Sequence, residues 1–127
     1  LIDCHSMPGG TRSGDIGGRP DFIIGDRFGR SCSEQLTQAA IELLQGLGYT
    51  VAHNKPYAGG FITEHYGRPA AACYALQIEI NRSLYMNEQS LQKLAGFDAL
   101  CADLYQFLSD LTSLPDELLV VPPLAAE

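Results

Sequence analysis

The sequence contains little positive charge. Its 127 residues include 8 lysines and arginines against 15 aspartates and glutamates, a formal net charge of −7 at pH 7. A protein that binds the phosphate backbone of DNA or RNA usually carries a basic excess. The composition therefore argues against nucleic acid as a partner.

Long apolar runs and paired cysteines are also absent. No apolar run approaches the roughly 18 residues that a membrane-spanning helix needs, so we expect no membrane partner. The four cysteines lie far apart and match neither a zinc knuckle nor a disulfide framework. We therefore expect free thiols, with Cys73 and Cys101 buried in apolar runs. Free thiols are typical of a reducing compartment, so we predict a cytoplasmic location.

What is present is the composition of one folded domain. The chain is 46% apolar and 18% charged, which is typical of a globular protein. It opens on Leu1 rather than methionine, and its first four residues already read as a strand. We therefore expect a fragment or a processed product of a longer protein.

The apolar pattern predicts an α/β fold. We expect four strands, at residues 1–4, 22–24, 49–52 and 72–81. Between the second and third strands, apolar residues at helical spacing predict a helix that begins with a capping box of Ser31 and Glu34 and ends at Gly48. A strand, a helix and a strand with short links form a βαβ unit, so the sheet should be at least partly parallel.

Loops and a second long helix account for the rest of the chain. Residues 5–20 and 54–60 are expected to be loops, and Phe61–Tyr66 a short helix. From Asn87 the pattern turns helical, with a possible break at Gly96. We expect its buried stripe to contain Leu94, Phe97, Cys101, Leu104, Leu108 and Leu111.

A carboxylate stands in the middle of the last strand. Strand alternation places Glu79 on one face, with Ile78 and Ile80 on the other. A carboxylate inside a covered sheet must be paired, hydrogen-bonded or placed in a cleft. Two interpretations stay open: a salt bridge, for example to Arg82, or a general base or acid.

His5 is expected where the first strand ends, which is where ligands of open α/β sheets bind. It could be a surface residue or a zinc ligand, and a zinc ligand needs an acceptor for its other ring nitrogen. His65 shows no metal-ligand spacing to it. The Arg82 guanidinium could pair with a substrate carboxylate or with one of the domain's own acidic side chains. Tyr57 lies in a loop that could form a cleft or a plain turn.

Five segments in a fixed order carry a family resemblance. They read DCHSMP at 3–8, GDRFG at 25–29, PYAGGFIT at 56–63, HYGRP at 65–69 and QIEINRSLYM at 77–86. This series resembles the N-formylglutamate amidohydrolase family. We expect the resemblance to cover residues 1–113, as the C-terminal part of a zinc amidohydrolase domain, with residues 114–127 as a tail.

The resemblance implies a fold and a reaction. The fold would be a three-layer α/β/α domain around a mixed, largely parallel sheet, similar to zinc carboxypeptidases and aspartoacylases. The reaction would be Zn²⁺-dependent hydrolysis of N-formyl-L-glutamate to formate and L-glutamate, a step of histidine degradation. Hydrolysis of another N-acyl amino acid, or a non-catalytic binding module on the same fold, remains an alternative.

Residue roles follow from the same resemblance. His5 matches the family's later zinc ligand, while a histidine and a glutamate of an earlier segment have no counterpart here. Glu79 matches the glutamate that takes a proton from the attacking water. Arg82 is the expected anchor for the substrate carboxylate, and Tyr57 and His65 are expected to lie in the cleft. We expect this chain alone to be inactive and to self-associate through an exposed sheet edge.

Overall fold

The computed structural model describes residues 1–10 and 18–119, where four strands form one mixed sheet. The strands are β1 (Ile2–Met7), β2 (Phe22–Gly25), β3 (Val51–His53) and β4 (Leu76–Asn81). They lie in the order β1-β4-β2-β3, with β1 and β4 parallel, β2 and β3 parallel, and β2 and β4 antiparallel. The α/β class and the mixed, largely parallel sheet are confirmed.

Helix α1 (Glu34–Gly46) connects β2 to its parallel neighbour β3, as the βαβ pattern predicts. Its N-cap is Ser33, whose hydroxyl accepts a hydrogen bond from the backbone N–H of Leu36. The predicted cap at Ser31 is wrong, because that side chain is buried and donates to the Ala75 carbonyl at 2.8 Å.

The largest differences from the predicted strand boundaries are at the end of β1 and at the start of β4. β1 continues to Met7, because it pairs with β4 along its whole length, and His5 therefore lies inside the strand and not after it. The rest of the loop expected at residues 5–20 lies partly outside the described residues. β4 begins later than predicted, because Pro69–Ala71 form a 3₁₀ turn and Ala72 has a φ of +53°, which extended backbone does not adopt.

Two short predictions are met by the structure. Helix α2 spans Phe61–Tyr66, as expected. Gly48 follows the end of α1 with a φ of +95°, a conformation that glycine adopts at little cost.

The second long helix, α3, spans Phe97–Thr112 and begins later than the predicted start at Asn87. The Asn87 side chain accepts hydrogen bonds from the backbone N–H groups of Gln89 and Ser90. A side chain that binds its own backbone in this way favours a turn over a helix.

The buried stripe of α3 is also rotated relative to the prediction. Leu100, Phe107 and Leu111 are buried, whereas Cys101 is exposed and Leu108 is 36% exposed. Cys73 is exposed as well, in the segment that precedes β4. The predicted burial of Cys73 and Cys101 is therefore wrong, and the buried cysteine is Cys32.

The core lies between one face of the sheet and the two long helices. Its buried members are Phe22, Ile24, Cys32, Ala40, Leu44, Leu76, Ile78, Leu100, Phe107 and Leu111. Complete burial of a leucine, isoleucine or phenylalanine side chain stabilises a fold by about 1.5–3 kcal/mol. α1 and α3 form one helical layer, and the second layer of the expected three-layer domain stays a prediction.

After α3 the chain stays on the domain for several residues. Leu114 packs against the core, and the Tyr74 hydroxyl donates to the Leu119 carbonyl. The remainder of the predicted tail, residues 120–127, lies outside the described residues, and the division at residue 113 stays a prediction. Over the described parts of the chain, no helix is both long and apolar enough to cross a membrane.

Candidate active site

The sheet face opposite α1 and α3 is polar at its centre. Gln77, Glu79 and Asn81 of β4 share this face, and each is buried. The register partners of Glu79 are His5 on β1 and Ile23 on β2, so all three point to the same side. β4 has a strand on each side. Glu79 therefore lies on a central strand and shares a face with His5, as the alternation predicts.

His5 and Glu79 approach each other through defined atoms. His5 Nδ1 lies 3.9 Å from Glu79 Oε1, and His5 Nε2 lies 2.9 Å from Asp3 Oδ2. The Glu79 residue is 7% exposed, whereas the His5 side chain is 47% exposed. Asp3 thus engages one ring nitrogen, and the other lies toward the buried Glu79 carboxylate.

Gln77 fixes the Glu79 carboxylate and was not identified from the sequence. Gln77 Nε2 donates to Glu79 Oε1 at 2.8 Å, and the Gly60 backbone N–H donates to Gln77 Oε1 at 2.8 Å. The signal that could have found Gln77 is its place two residues before Glu79 on the same strand face. The two hydrogen bonds give the buried carboxylate one preferred orientation.

The turn after β2 supports the loop that contains Gly60. Gly25 lies against this loop so closely that an added Cβ would stand 2.6 Å from the carbonyl carbon of Ala58. Arg27 donates from its backbone N–H to the Ala58 carbonyl and from its guanidinium to the Gly59 carbonyl, and it pairs with Glu64 at 2.9 Å. The loop that orients Gln77 is therefore anchored by backbone contacts and one ion pair.

Asp26 is a second buried carboxylate, at the end of β2. It accepts hydrogen bonds from Asn54, Thr37 and the Gly29 backbone N–H, and it lies 3.1 Å from His53 Nε2. Burial alone would raise the pKa of Asp26, but these hydrogen bonds and the nearby imidazole outweigh burial, so its pKa lies below the ordinary value. Asp26 therefore connects β2, α1 and the residue after β3.

Arg82 contacts neither Glu79 nor His5. Its Nε donates to Ser6 Oγ at 3.2 Å, and its guanidinium lies 3.3 Å from Glu88 Oε1. Ser6 alternates with His5 along β1, so it points to the opposite face from Glu79. The suggested salt bridge between Glu79 and Arg82 is therefore wrong, and a role of Arg82 in substrate binding stays a prediction.

The two remaining candidates lie in different places. Tyr57 lines a cleft with Met7 and Ile23, which lie on the same sheet face as Glu79. His65 is exposed on α2, where its ring stacks on Phe61 with centroids 5.1 Å apart. Tyr57 thus lines a cleft on the Glu79 face and His65 packs on its own helix, and the role of each stays a prediction.

The site offers one good position for a zinc ligand. Asp3 supplies the carboxylate acceptor that holds the ring of a metal-binding histidine through Nε2, which leaves Nδ1 for a metal ion. Over residues 1–10 and 18–119, however, no group of three or more histidines, cysteines or carboxylates is placed to hold a metal ion. A catalytic zinc usually has three protein ligands, so the described residues do not complete one.

These features define an α/β protein with a candidate general base, Glu79, and a candidate metal ligand, His5, on the polar face of its sheet. Comparison with known families makes the assignment more specific. A family model described as FGase, N-formylglutamate amidohydrolase, matches residues 1–86. The chain belongs to this family, which confirms the resemblance, although the match ends before the expected limit near residue 113.

Individual relatives agree with the family match. The chain is 39% identical over 93 residues to an N-formylglutamate deformylase of Pseudomonas putida, covering 69% of this chain and 33% of the relative. It is 36% identical over 92 residues to an N-formylglutamate deformylase of Pseudomonas aeruginosa, covering 71% of this chain and 34% of the relative. The chain thus spans about a third of the length of these relatives, which are amidohydrolase enzymes.

A solved structure shows the same fold. The crystal structure of an N-formylglutamate amidohydrolase from Ralstonia eutropha superposes with a TM-score of 0.78 at 36% sequence identity. The superposition covers 87% of this chain and 41% of that chain.

Proposed function

We propose that this chain is part of a zinc-dependent amidohydrolase that converts N-formyl-L-glutamate and water to formate and L-glutamate. The observation that carries the proposal is the buried Glu79 carboxylate, which Gln77 orients and which faces His5 at 3.9 Å. The names of the relatives support the substrate. Because the chain spans only a third of their length, we propose that residues outside this sequence complete the site.

Glu79 acts as the general base in this proposal. Its carboxylate takes a proton from the water that attacks the formyl carbonyl, and a bond forms between the water oxygen and the formyl carbon. As the carbon–nitrogen bond breaks, Glu79 returns the proton to the leaving amine. Because Glu79 is buried on a central strand, its carboxylate is largely shielded from bulk water. The neighbouring His5 side chain is half-exposed.

His5 would contribute one zinc ligand through Nδ1, because Asp3 already engages Nε2. When bound, zinc would polarise the formyl carbonyl and make the attacking water more acidic. The remaining ligands are expected from residues outside this sequence, in line with the family pattern of an earlier histidine and glutamate. The contact between His5 Nε2 and the Asp3 carboxylate fixes the position of the imidazole ring relative to Glu79.

The other predicted residues would act on the substrate. The family resemblance assigns a substrate carboxylate to Arg82, which would first have to leave Glu88. Tyr57 is placed to contact the substrate from the cleft on the Glu79 face. His65 would have to approach from α2, where its ring now stacks on Phe61.

The sheet edge and the thiols bear on assembly and location. Over the described chain, β1 pairs with β4 alone, which leaves its outer edge without a strand partner. We propose that either further strands of a longer protein or a second copy of this chain covers that edge. The four free cysteines support a reducing, cytoplasmic location.

The test compares two proteins. One is the longest natural protein that contains these residues, and the other is the chain alone. We expect the longer protein to retain stoichiometric zinc after dialysis and to release formate from N-formyl-L-glutamate, and the chain alone to do neither. Hydrolysis of another N-acyl amino acid, without hydrolysis of N-formyl-L-glutamate, would assign a different substrate to the enzyme. No release by either protein would favour a non-catalytic module.

A further inference from the structure

An open cleft lies beside Glu79 on the same sheet face. It has a volume of 640 Å³ and is lined by Met7, Arg19, Ile23, Lys55 and Tyr57, among others. Ile23 is the direct register partner of Glu79 on the neighbouring strand. Adjacent strands lie about 4.8 Å apart, so the cleft begins one strand away from the buried carboxylate.

The lining of this cleft is positively charged. It contains Arg19 and Lys55, and none of its lining residues in the described ranges 1–10 and 18–119 is an aspartate or glutamate. Among the residues described, neither cation has a carboxylate oxygen within 4.0 Å, whereas Arg27 pairs with Glu64 in the same region. Two cations that share one open cleft favour an anionic ligand.

A backbone contact holds the arginine in place. Arg19 donates from one guanidinium nitrogen to the Pro8 carbonyl at 3.0 Å. This contact uses one of its five donors, and the planar group can still offer two parallel hydrogen bonds to a carboxylate. The partly buried Tyr57 adds an apolar surface for the carbon chain between two acidic groups.

We propose that this cleft binds the amino-acid part of the substrate and that Arg19 and Lys55 each bind one of its two carboxylates. The inference rests on the proposed function, because N-formyl-L-glutamate is the dicarboxylate in question. The formyl amide would then point toward Glu79 and His5. This assignment places the carboxylate anchors in the cleft and leaves Arg82 as the ion-pair partner of Glu88.

The test uses substrates matched in shape. The longest natural protein with these residues is assayed on N-formyl-L-glutamate and on N-formyl-L-glutaminamide, in which both carboxylates are amides. We expect Arg19→Gln and Lys55→Met each to raise KM for N-formyl-L-glutamate roughly 10- to 150-fold, the effect of one lost charge-assisted hydrogen bond. The KM for the diamide should stay unchanged. Arg30→Gln, on an exposed turn, is the matched control.

A binding measurement keeps the inference independent of turnover. Calorimetric titration with L-glutamate should show the same loss of affinity in both cleft variants, even if the protein releases no formate. Failure of the wild type to release formate from either substrate would overturn the proposed function alone. Equal changes for both substrates, unchanged glutamate affinity, or a selective KM increase in Arg82→Gln and not in Arg19→Gln would overturn the inference. If Arg19→Gln does not fold, Lys55→Met decides.

Discussion

Gln77 and Glu79 lie two residues apart on β4, and the Gln77 side-chain amide donates a 2.8 Å hydrogen bond to the Glu79 carboxylate. The Gly60 backbone N–H holds the other end of the same amide. A flip of the amide would break both bonds. The loop before α2 therefore determines the direction of a carboxylate on a central strand.

This relationship predicts a kinetic effect of Gln77→Leu. The variant keeps a side chain of similar size and removes the donor to Glu79. We expect kcat to fall roughly 10- to 150-fold with KM nearly unchanged, because a hydrogen bond to a charged carboxylate contributes about 1.5–3 kcal/mol. Steady-state kinetics of formate release measure the effect, with Gln45→Leu on the exposed side of α1 as the control. A change in KM alone would contradict an orienting role.

The close contact between Gly25 and the Ala58 backbone predicts an effect of Gly25→Ala. The new Cβ would stand 2.6 Å from a backbone carbon, so the loop must move away from the sheet. We expect the free energy of unfolding to fall by about 1–3 kcal/mol, as for other overpacked sites. Thermal and urea unfolding measure this. Gly10→Ala is the matched control, since no atom of the described residues beyond its chain neighbours lies within 4 Å of the added carbon. Equal stability of the two variants would contradict the contact.

Asp26 predicts a pH-dependent contribution to stability. Its pKa is lowered in the fold, so the ionised form stabilises the protein above the unfolded-state pKa of about 3.9, and this contribution is lost as the pH falls through the folded value. We expect Asp26→Asn to cost about 1.5–3 kcal/mol at pH 6, and the cost to shrink by pH 3.

Urea unfolding at several pH values between 3 and 6 measures the cost. His53 Nε2 lies 3.1 Å from the same carboxylate, so the series is repeated in a His53→Gln background to remove the imidazole. A cost that does not change with pH, or that is absent at pH 6, would show that the Asp26 charge does not stabilise the fold.

The cysteines predict a reactivity order. Burial raises the pKa of the Cys32 thiol to about 11, and the side chain is fully buried, whereas Cys73 and Cys101 are exposed. The thiolate is the reactive form of a cysteine. We therefore expect Cys32 to react with a disulfide reagent at pH 8 at least roughly 100-fold more slowly than Cys73 and Cys101 do. Mass spectrometry of labelled peptides identifies each site, and unfolding in urea should equalise the rates. Fast labelling of native Cys32 would contradict its burial.

The sequence predicted those parts of the site that depend on strand alternation. The pattern of residues 76–81 places Glu79 opposite the core, and this holds in the structure because β4 is paired on both sides. The orienting bond from Gly60 to Gln77 could not be predicted, because it joins residues of two elements. Only the fold brings that loop over the strand.

The errors have similar physical causes. α3 carries two overlapping apolar stripes, and packing against α1 and the sheet selects the one with Leu100 and Phe107. Ser31 and Ser33 can both cap a helix, and a tertiary hydrogen bond to Ala75 removes Ser31 from that role. In both cases a local pattern allows two solutions, and a distant contact selects one.

The central claim is that Glu79 transfers protons in amide hydrolysis. The most direct test is formate release from N-formyl-L-glutamate by the longest natural protein with these residues, with Glu79→Gln compared with Glu42→Gln on the exposed face of α1. We expect Glu79→Gln to lower turnover by roughly 10²–10⁴-fold, the usual contribution of a general base, with zinc content unchanged and Glu42→Gln silent. Turnover of Glu79→Gln equal to that of the wild type would contradict the account.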